Sequence, residues 1–213
     1  MSETDLPHLD AICDFFTSAG IAPTLEVWAE DANERFDLAL TARGFTPGAL
    51  SATLHLDLQG WHDPRSVEIT SSAFPATVEE IGPEDDEDYF ATLIGGYEMQ
   101  QAHPDHLAML RAEHDPGSVR RYLAREGGQP AAAASLYLHP TGALLSGAAT
   151  LPRFRRHGCQ SALITRRLAD AAAHTDLAVV TVALGSPSHS NLERFGFRQT
   201  HVRTSWRGAP REL

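Results

Sequence analysis

The stretch TLPRFRRHGCQSAL, residues 150–163, joins an apolar strand to an amphipathic helix through a short basic loop. The apolar run GALLSGAATL, 142–151, ends at Leu151-Pro152. Arg153, Phe154, Arg155, Arg156, His157 and Gly158 follow, and then a helix is expected over 159–174. A helix N-terminus presents unpaired N–H groups and the positive end of a dipole. Gly158 removes side-chain bulk where an anion approaches the backbone. The arginines add fixed charge and paired donors. Strand, basic glycine loop and helix together make a phosphate-binding arrangement. With one glycine and no lysine, it is neither a P-loop nor a dinucleotide fingerprint.

Working outward, 130–138 and 119–125 read as two more strands, separated by Gly127-Gly128 and by His139-Pro140-Thr141-Gly142. With 142–151 they make a meander. In the helix 159–174, Ala162, Leu163, Ile164, Leu168 and Ala171 share a face, with Arg166 and Arg167 placed off it. Leu177–Ala183 is continuously apolar, the pattern of a strand buried on both faces. A short helix, Ser188–Phe195, stops at Gly196, and a last strand runs Phe197–Trp206. Upstream, Pro83 and the acids 84–88 mark a helix start after a strand at 77–82. The N-terminal half reads helix (6–19), strand (23–29), helix (31–43), strand (49–58), with a possible strand at 66–70 in a Gly/Pro-rich connection. Arg43-Gly44-Phe45 before a strand resembles Arg194-Phe195-Gly196-Phe197 before the last one. This suggests that the first half is a degenerate copy of the end of the second. The expected organisation is an α-β-α-β half-domain over 1–62, a connecting segment over 63–76, and a mixed α/β domain over 77–213.

Composition narrows the function. The 213 residues fit one large domain or one and a half small ones. All 17 basic residues are arginine, which removes lysine-dependent nucleotide and Schiff-base chemistry. Two cysteines, Cys13 and Cys159, cannot build a zinc site of the Cys-rich kind or a disulfide framework. The acidic N-terminus and the lack of any 20-residue apolar run point away from a secretory signal and a membrane span, hence to the cytoplasm. Net charge is −11, but unevenly spread: residues 1–118 carry 23 acids and 4 arginines, and 119–213 carry 5 acids and 13 arginines. No acid falls between Glu126 and Asp170, where an even spread would put about six. An anion bound in that stretch accounts for this. Nucleic acid does not, since the acidic half would repel it. His103, His106 and His114 read as surface histidines rather than metal ligands, because His103-Pro104 breaks helical spacing. Cys159, at a helix N-terminus beside arginines, is expected to have a lowered pKa but to be a bystander.

The same residues resemble the GCN5-related N-acetyltransferases. Their signature is a strand ending in V-x-P, then R-x-x-G-x-G/A and a helix; here Thr150-Leu151-Pro152 precedes Arg155-Arg156-His157-Gly158-Cys159-Gln160. The family's later short helix ending in G-F appears as SHSNLERFGF, 188–197. The resemblance spans roughly 77–210 and implies a splayed central β-sheet flanked by helices. It implies acetyl-coenzyme A as cosubstrate, an amine acceptor and no metal. Backbone groups of Ala149, Thr150 and Leu151 would pair with the pantetheine. The amides of His157, Gly158, Cys159, Gln160 and Ser161, with Arg155 and Arg156, would hold the pyrophosphate, and Asn191 would touch the coenzyme. Two departures stand out. Gln160 replaces the second glycine, and Leu192 occupies the place of the family's usual general-acid tyrosine, which leaves the catalytic residues unassigned. The reading is an N-acetyltransferase, monomer or homodimer; the alternative is a non-catalytic acyl-coenzyme A-binding sensor or scaffold.

Overall fold

The computed structural model describes residues 3–62 and 76–208. The strand expected at 66–70 and nearly all of the connecting segment lie outside them. The chain forms two compact units, Met1–Leu54 with Thr181–Leu213, and His55–Val180. Each is a mixed α/β layer.

In chain order the elements are α1 (Leu9–Ser18), β1 (Thr24–Trp28), α2 (Glu34–Ala42), β2 (Thr46–Asp57), β3 (Ala76–Ile81), α3 (Asp86–Gly96), α4 (Pro104–Glu113), β4 (Arg120–Glu126), β5 (Gln129–His139), β6 (Gly142–Thr150), α5 (Cys159–Ala172), β7 (Leu177–Ala183), α6 (Pro187–Arg194) and β8 (Arg198–Arg207).

In the first unit the strands lie in the order β1, β8, β2, with β1 and β8 antiparallel. The core is Leu9 and Cys13 of α1, Leu25 and Val27 of β1, Phe36 and Leu40 of α2, with Phe45 and Trp206. The residues buried from α1 and α2 are four apart, the spacing that puts them on one helix face. α2 starts at Glu34 rather than at 31, and Asn33 caps it by accepting the Phe36 N–H at 2.9 Å. The two helix–glycine–phenylalanine joins are built alike. Gly44 and Gly196 are both left-handed. Phe45 N–H donates to Leu40 O at 3.1 Å and Phe197 N–H to Leu192 O at 3.2 Å, and both rings are buried.

In the second unit the order is β7, β6, β5, β4, β3, antiparallel except for the parallel pair β6–β7. Gly127-Gly128, both at positive φ, turn β4 into β5. Neighbouring residues of a strand face opposite ways, and β4 shows it. Leu123 joins Tyr89, Phe90 and Leu93 of α3 in one core. Tyr122 donates to Asp170 of α5 at 2.8 Å on the other side. Ala131–Ala134 of β5 are all buried; small side chains suit a strand covered on both faces.

Two expectations change. β7 is not buried on both faces: burial alternates, with Ala178 and Val180 inside and Thr181 and Ala183 exposed. Its pairing with β6 is confined to Ala143–Ala178 and Leu144–Val179. Arg167 is not off the buried face of α5 but on it, 2% exposed. Its spacing explains this, because it stands four residues from both Leu163 and Ala171.

Candidate active site

Strand β6 is interrupted by a bulge. Ala133 pairs with Ala149 and Ser135 with Ser146, so Gly147 and Ala148 both stand opposite Ala134. Gly147 has φ +47, and a Cβ there would lie 1.8 Å from Cε1 of His114. Only glycine meets both conditions. The β6–β7 pairing has already ended three residues earlier, at Leu144. Beyond the bulge, Leu151 N–H donates to Ala131 O at 2.9 Å, so β6 stays tied to β5 up to the loop.

A single 3-10 turn, Pro152–Phe154, then leads into the basic segment. Arg156 at φ 70 and Gly158 at φ 84 are both left-handed, and α5 starts at Cys159 with no side chain capping it. The loop residues Arg155 to Ser161 are therefore contiguous, with the backbone turned sharply at the helix entrance.

The three arginines of the loop have different surroundings. Arg153 lies over the Phe154 ring at 4.8 Å. Arg155 is exposed but engaged: it pairs with Glu98 at 2.7 Å and donates to Gly96 O at 3.1 Å and Thr150 O at 3.4 Å. It thereby ties the end of α3 to the end of β6. Arg156 is exposed and makes no ion pair among the described residues. His157 Nδ1 lies 3.1 Å from both carboxylate oxygens of Glu126. The Cys159 thiol is buried, 4.0 Å from the same carboxylate. Burial first, and then Glu126, push its pKa up. This reverses the lowering expected from the helix terminus and the arginines: the nearest charge is an anion and the sulfur is out of water.

Ala149 is buried, and Thr150 and Leu151 are half-buried at the end of β6 beside the loop. Asn191 belongs to the other compact unit, where it is buried on α6 and accepts from Arg194 at 3.1 Å. Leu192 is buried there too. Ser186 caps α6 by accepting the His189 N–H at 3.1 Å.

Behind the bulge is a set of buried polar groups that sequence reasoning missed. Tyr89 Oη and His114 Nδ1 are 2.6 Å apart. Ser135 Oγ, on β5, is 2.8 Å from Ser146 Oγ on β6. Burial, reinforced by the charge of Arg121, pushes His114 down to about 4, so its ring is neutral near pH 7. Arg121 pairs with Asp86 at 2.6 Å and lies over the Tyr89 ring. Arg167 reaches the bulge from α5. Its Nη1 donates to Ser135 O at 3.1 Å and Ser146 O at 3.3 Å, and its Nε to Leu163 O at 3.1 Å. Burial lowers its pKa to about 10, against the tyrosines around it, and it stays charged. A fixed cation thus sits under the strand at the point where it bulges. His103 caps α4 by accepting the Asp105 N–H at 3.3 Å, while His114 turns inward, so the three histidines do not converge. Among the described residues no three His, Cys, Asp or Glu side chains are placed to hold a metal ion.

No family model matches this sequence, and no curated protein does. Solved structures do. A GCN5-related N-acetyltransferase from Kribbella flavida superposes with a TM-score of 0.68 at 18% identity, over 98% of this chain and 76% of that one. A functionally unknown conserved protein from Staphylococcus epidermidis gives 0.73 at 11%, over 98% and 81%. A tandem GNAT protein from the clavulanic acid biosynthesis pathway gives 0.61 at 15%, over 91% and 66%. The fold of this chain is that of the GCN5-related N-acetyltransferases.

Proposed function

We propose that this protein is an acetyl-coenzyme A-dependent N-acetyltransferase. The observation that carries the reading is the entrance to α5. A helix without a side-chain cap is approached through two left-handed residues, one of them an arginine with no ion pair among the described residues, directly after a strand that has parted from its neighbour. That arrangement suits a diphosphate on the first-turn amides of α5, with His157, Gly158, Cys159, Gln160 and Ser161 supplying backbone and Arg156 supplying charge. Arg155 shapes the loop through Glu98. Ala149, Thr150 and Leu151 are the residues that would run beside the pantetheine, and Asn191 is a further proposed contact.

The chemistry is direct transfer. The acceptor nitrogen attacks the thioester carbon, the C–S bond breaks with its electron pair on sulfur, the nitrogen loses a proton, and the sulfur gains one. Developing charge on the carbonyl oxygen is met by strand amides and by the field of Arg167 beneath the bulge. No helix among the described residues is long and apolar enough to cross a membrane.

A second reading, coenzyme A binding without turnover, draws on the buried Leu192, which offers no hydroxyl where the family resemblance would put one. Calorimetry with acetyl-coenzyme A, followed by thiol release over a panel of primary amines, tests both. Binding with amine-dependent release is the expected result. Binding without release on any amine favours the sensor, and no binding removes both.

A further inference from the structure

We infer that the Glu126–His157 pair makes binding of the diphosphate a proton-coupled event. As the coenzyme binds, the His157 ring takes a proton from solvent at Nε2 and becomes a cation held between Glu126 and the phosphates. This rests on the acetyl-coenzyme A reading above.

Glu126 is an acid where an anion is expected to bind. It is the last acidic residue before the cationic stretch, and its carboxylate lies 4.0 Å from the Cys159 thiol at the start of α5. A bare carboxylate there would repel a diphosphate on the first-turn amides. The sheet, not the loop, sets its position. Glu126 ends β4, opposite Ala76 of β3 on one side and Gln129 of β5 on the other, across the Gly127-Gly128 turn. Gln129 in turn accepts from Arg153 of the loop at 3.5 Å.

The hydrogen bond fixes the tautomer of His157. Its Nδ1 lies 3.1 Å from both oxygens of Glu126. Carboxylate oxygens only accept, so Nδ1 carries a proton and donates. In a neutral ring Nε2 is then a bare lone pair. Nε2 makes no hydrogen bond among the described residues, and the His157 side chain is 45% exposed against 22% for Glu126. The main-chain N–H of the same residue is one of those assigned to the diphosphate, so the ring stands beside that ligand. A lone pair facing a phosphate oxygen is repulsive, whereas an N–H there is a charge-assisted donor.

The other charged groups around the ring make the proton conditional on the ligand. Arg156 precedes it in the chain. Arg153 lies over the Phe154 ring, which meets the His157 ring edge-on with centroids 6.4 Å apart. Both are permanent cations that oppose a further positive charge until the diphosphate offsets them. The Cys159 thiol, pushed up by burial and by Glu126, stays uncharged. Glu126 is thus a positioning residue, and the His157 ring makes the contact.

Calorimetry reads the proton directly. Acetyl-coenzyme A, which has no free thiol, is titrated into the full-length protein in two buffers of different ionisation heat at about pH 7.5, where its phosphate monoester is already ionised. The difference in binding heat gives the protons taken up. An anion brought against an imidazole raises its affinity for a proton about ten- to a thousandfold, so about 0.4 proton or more should be gained per coenzyme. Because a proton is gained, affinity should fall as pH rises from about 7.5 to 9. His157→Asn should lose most of the uptake and of the pH slope. Glu126→Gln should lose them too, because a carboxamide can donate to Nδ1 and let a neutral ring present Nε2–H; at about pH 9 it should bind at least as tightly as wild type. Zero uptake in wild type overturns the inference even if both variants fold poorly. An uptake that His157→Asn leaves unchanged overturns it as well. So does Glu126→Gln with its uptake intact and its binding weaker at every pH, which would make the pair a structural tie. Absence of acetyl-coenzyme A binding in wild type would instead strike the acetyl-coenzyme A reading itself.

Discussion

At the scale of single residues, the loop separates charges that look alike in sequence. Arg155 and Arg156 are neighbours, yet one is held by Glu98 and two carbonyls while the other makes no ion pair among the described residues. Arg156→Ala should weaken acetyl-coenzyme A binding roughly three- to tenfold, the worth of one charge-assisted phosphate contact. Thermal stability should not change. Calorimetry showing unchanged affinity would place the phosphates elsewhere. His114 carries a pH signature. Its folded pKa of about 4 lies below the ordinary 6.5, so between those values the unfolded chain binds the extra proton. Stability is then lost as pH falls from 6.5 towards 4, by about 3 kcal/mol at the lower end. Urea melts across that window should show a shallower decline in His114→Gln than in wild type. Parallel declines would mean that the ring is protonated in the fold.

At the scale of elements, close approach is what builds the site. α3 rests on β6 through Gly95 and Gly96, and His114 rests on it through Gly147. Gly96→Ala forces a methyl to within 2.7 Å of Ala149 Cβ, so α3 must shift. The expected cost is about 1–3 kcal/mol in denaturant unfolding, as for other overpacked contacts, together with weaker binding of acetyl-coenzyme A. A variant as stable as wild type would show that α3 has slack. The helices and strands themselves were readable from periodicity and turn chemistry. The 127–128 and 139–142 turns, the helix opening at 159 and the glycine stop at 196 all appear at the expected places. The errors have physical causes. An apolar run cannot say whether both faces of β7 are covered. Nor does charge alone keep Arg167 off a buried face when two strand carbonyls beside the bulge, Ser135 O and Ser146 O, await it.

At the scale of the whole molecule, net charge and local charge pull in opposite directions. The chain is at −11, yet the stretch between Glu126 and Asp170 has only cations. If the loop governs binding of a polyanion, acetyl-coenzyme A affinity should fall as salt rises from 50 to 500 mM, by roughly threefold or more. Affinity that rises with salt would mean that the global repulsion prevails. Both acids bounding the cationic stretch are engaged, Glu126 with His157 and Asp170 with Arg166 and Tyr122. Element order, the anion-seeking loop and the acid-free stretch follow from the sequence alone, because hydrophobic period, glycine placement and charge act over a few residues at a time. The tertiary structure alone decided the bulge at Gly147, the buried cluster of Tyr89, His114 and Arg167, the raised Cys159 thiol and the close seat of Gly95 and Gly96 on β6. These depend on which segments, far apart in sequence or not, come to share one dry space, and neither spacing nor composition encodes that meeting.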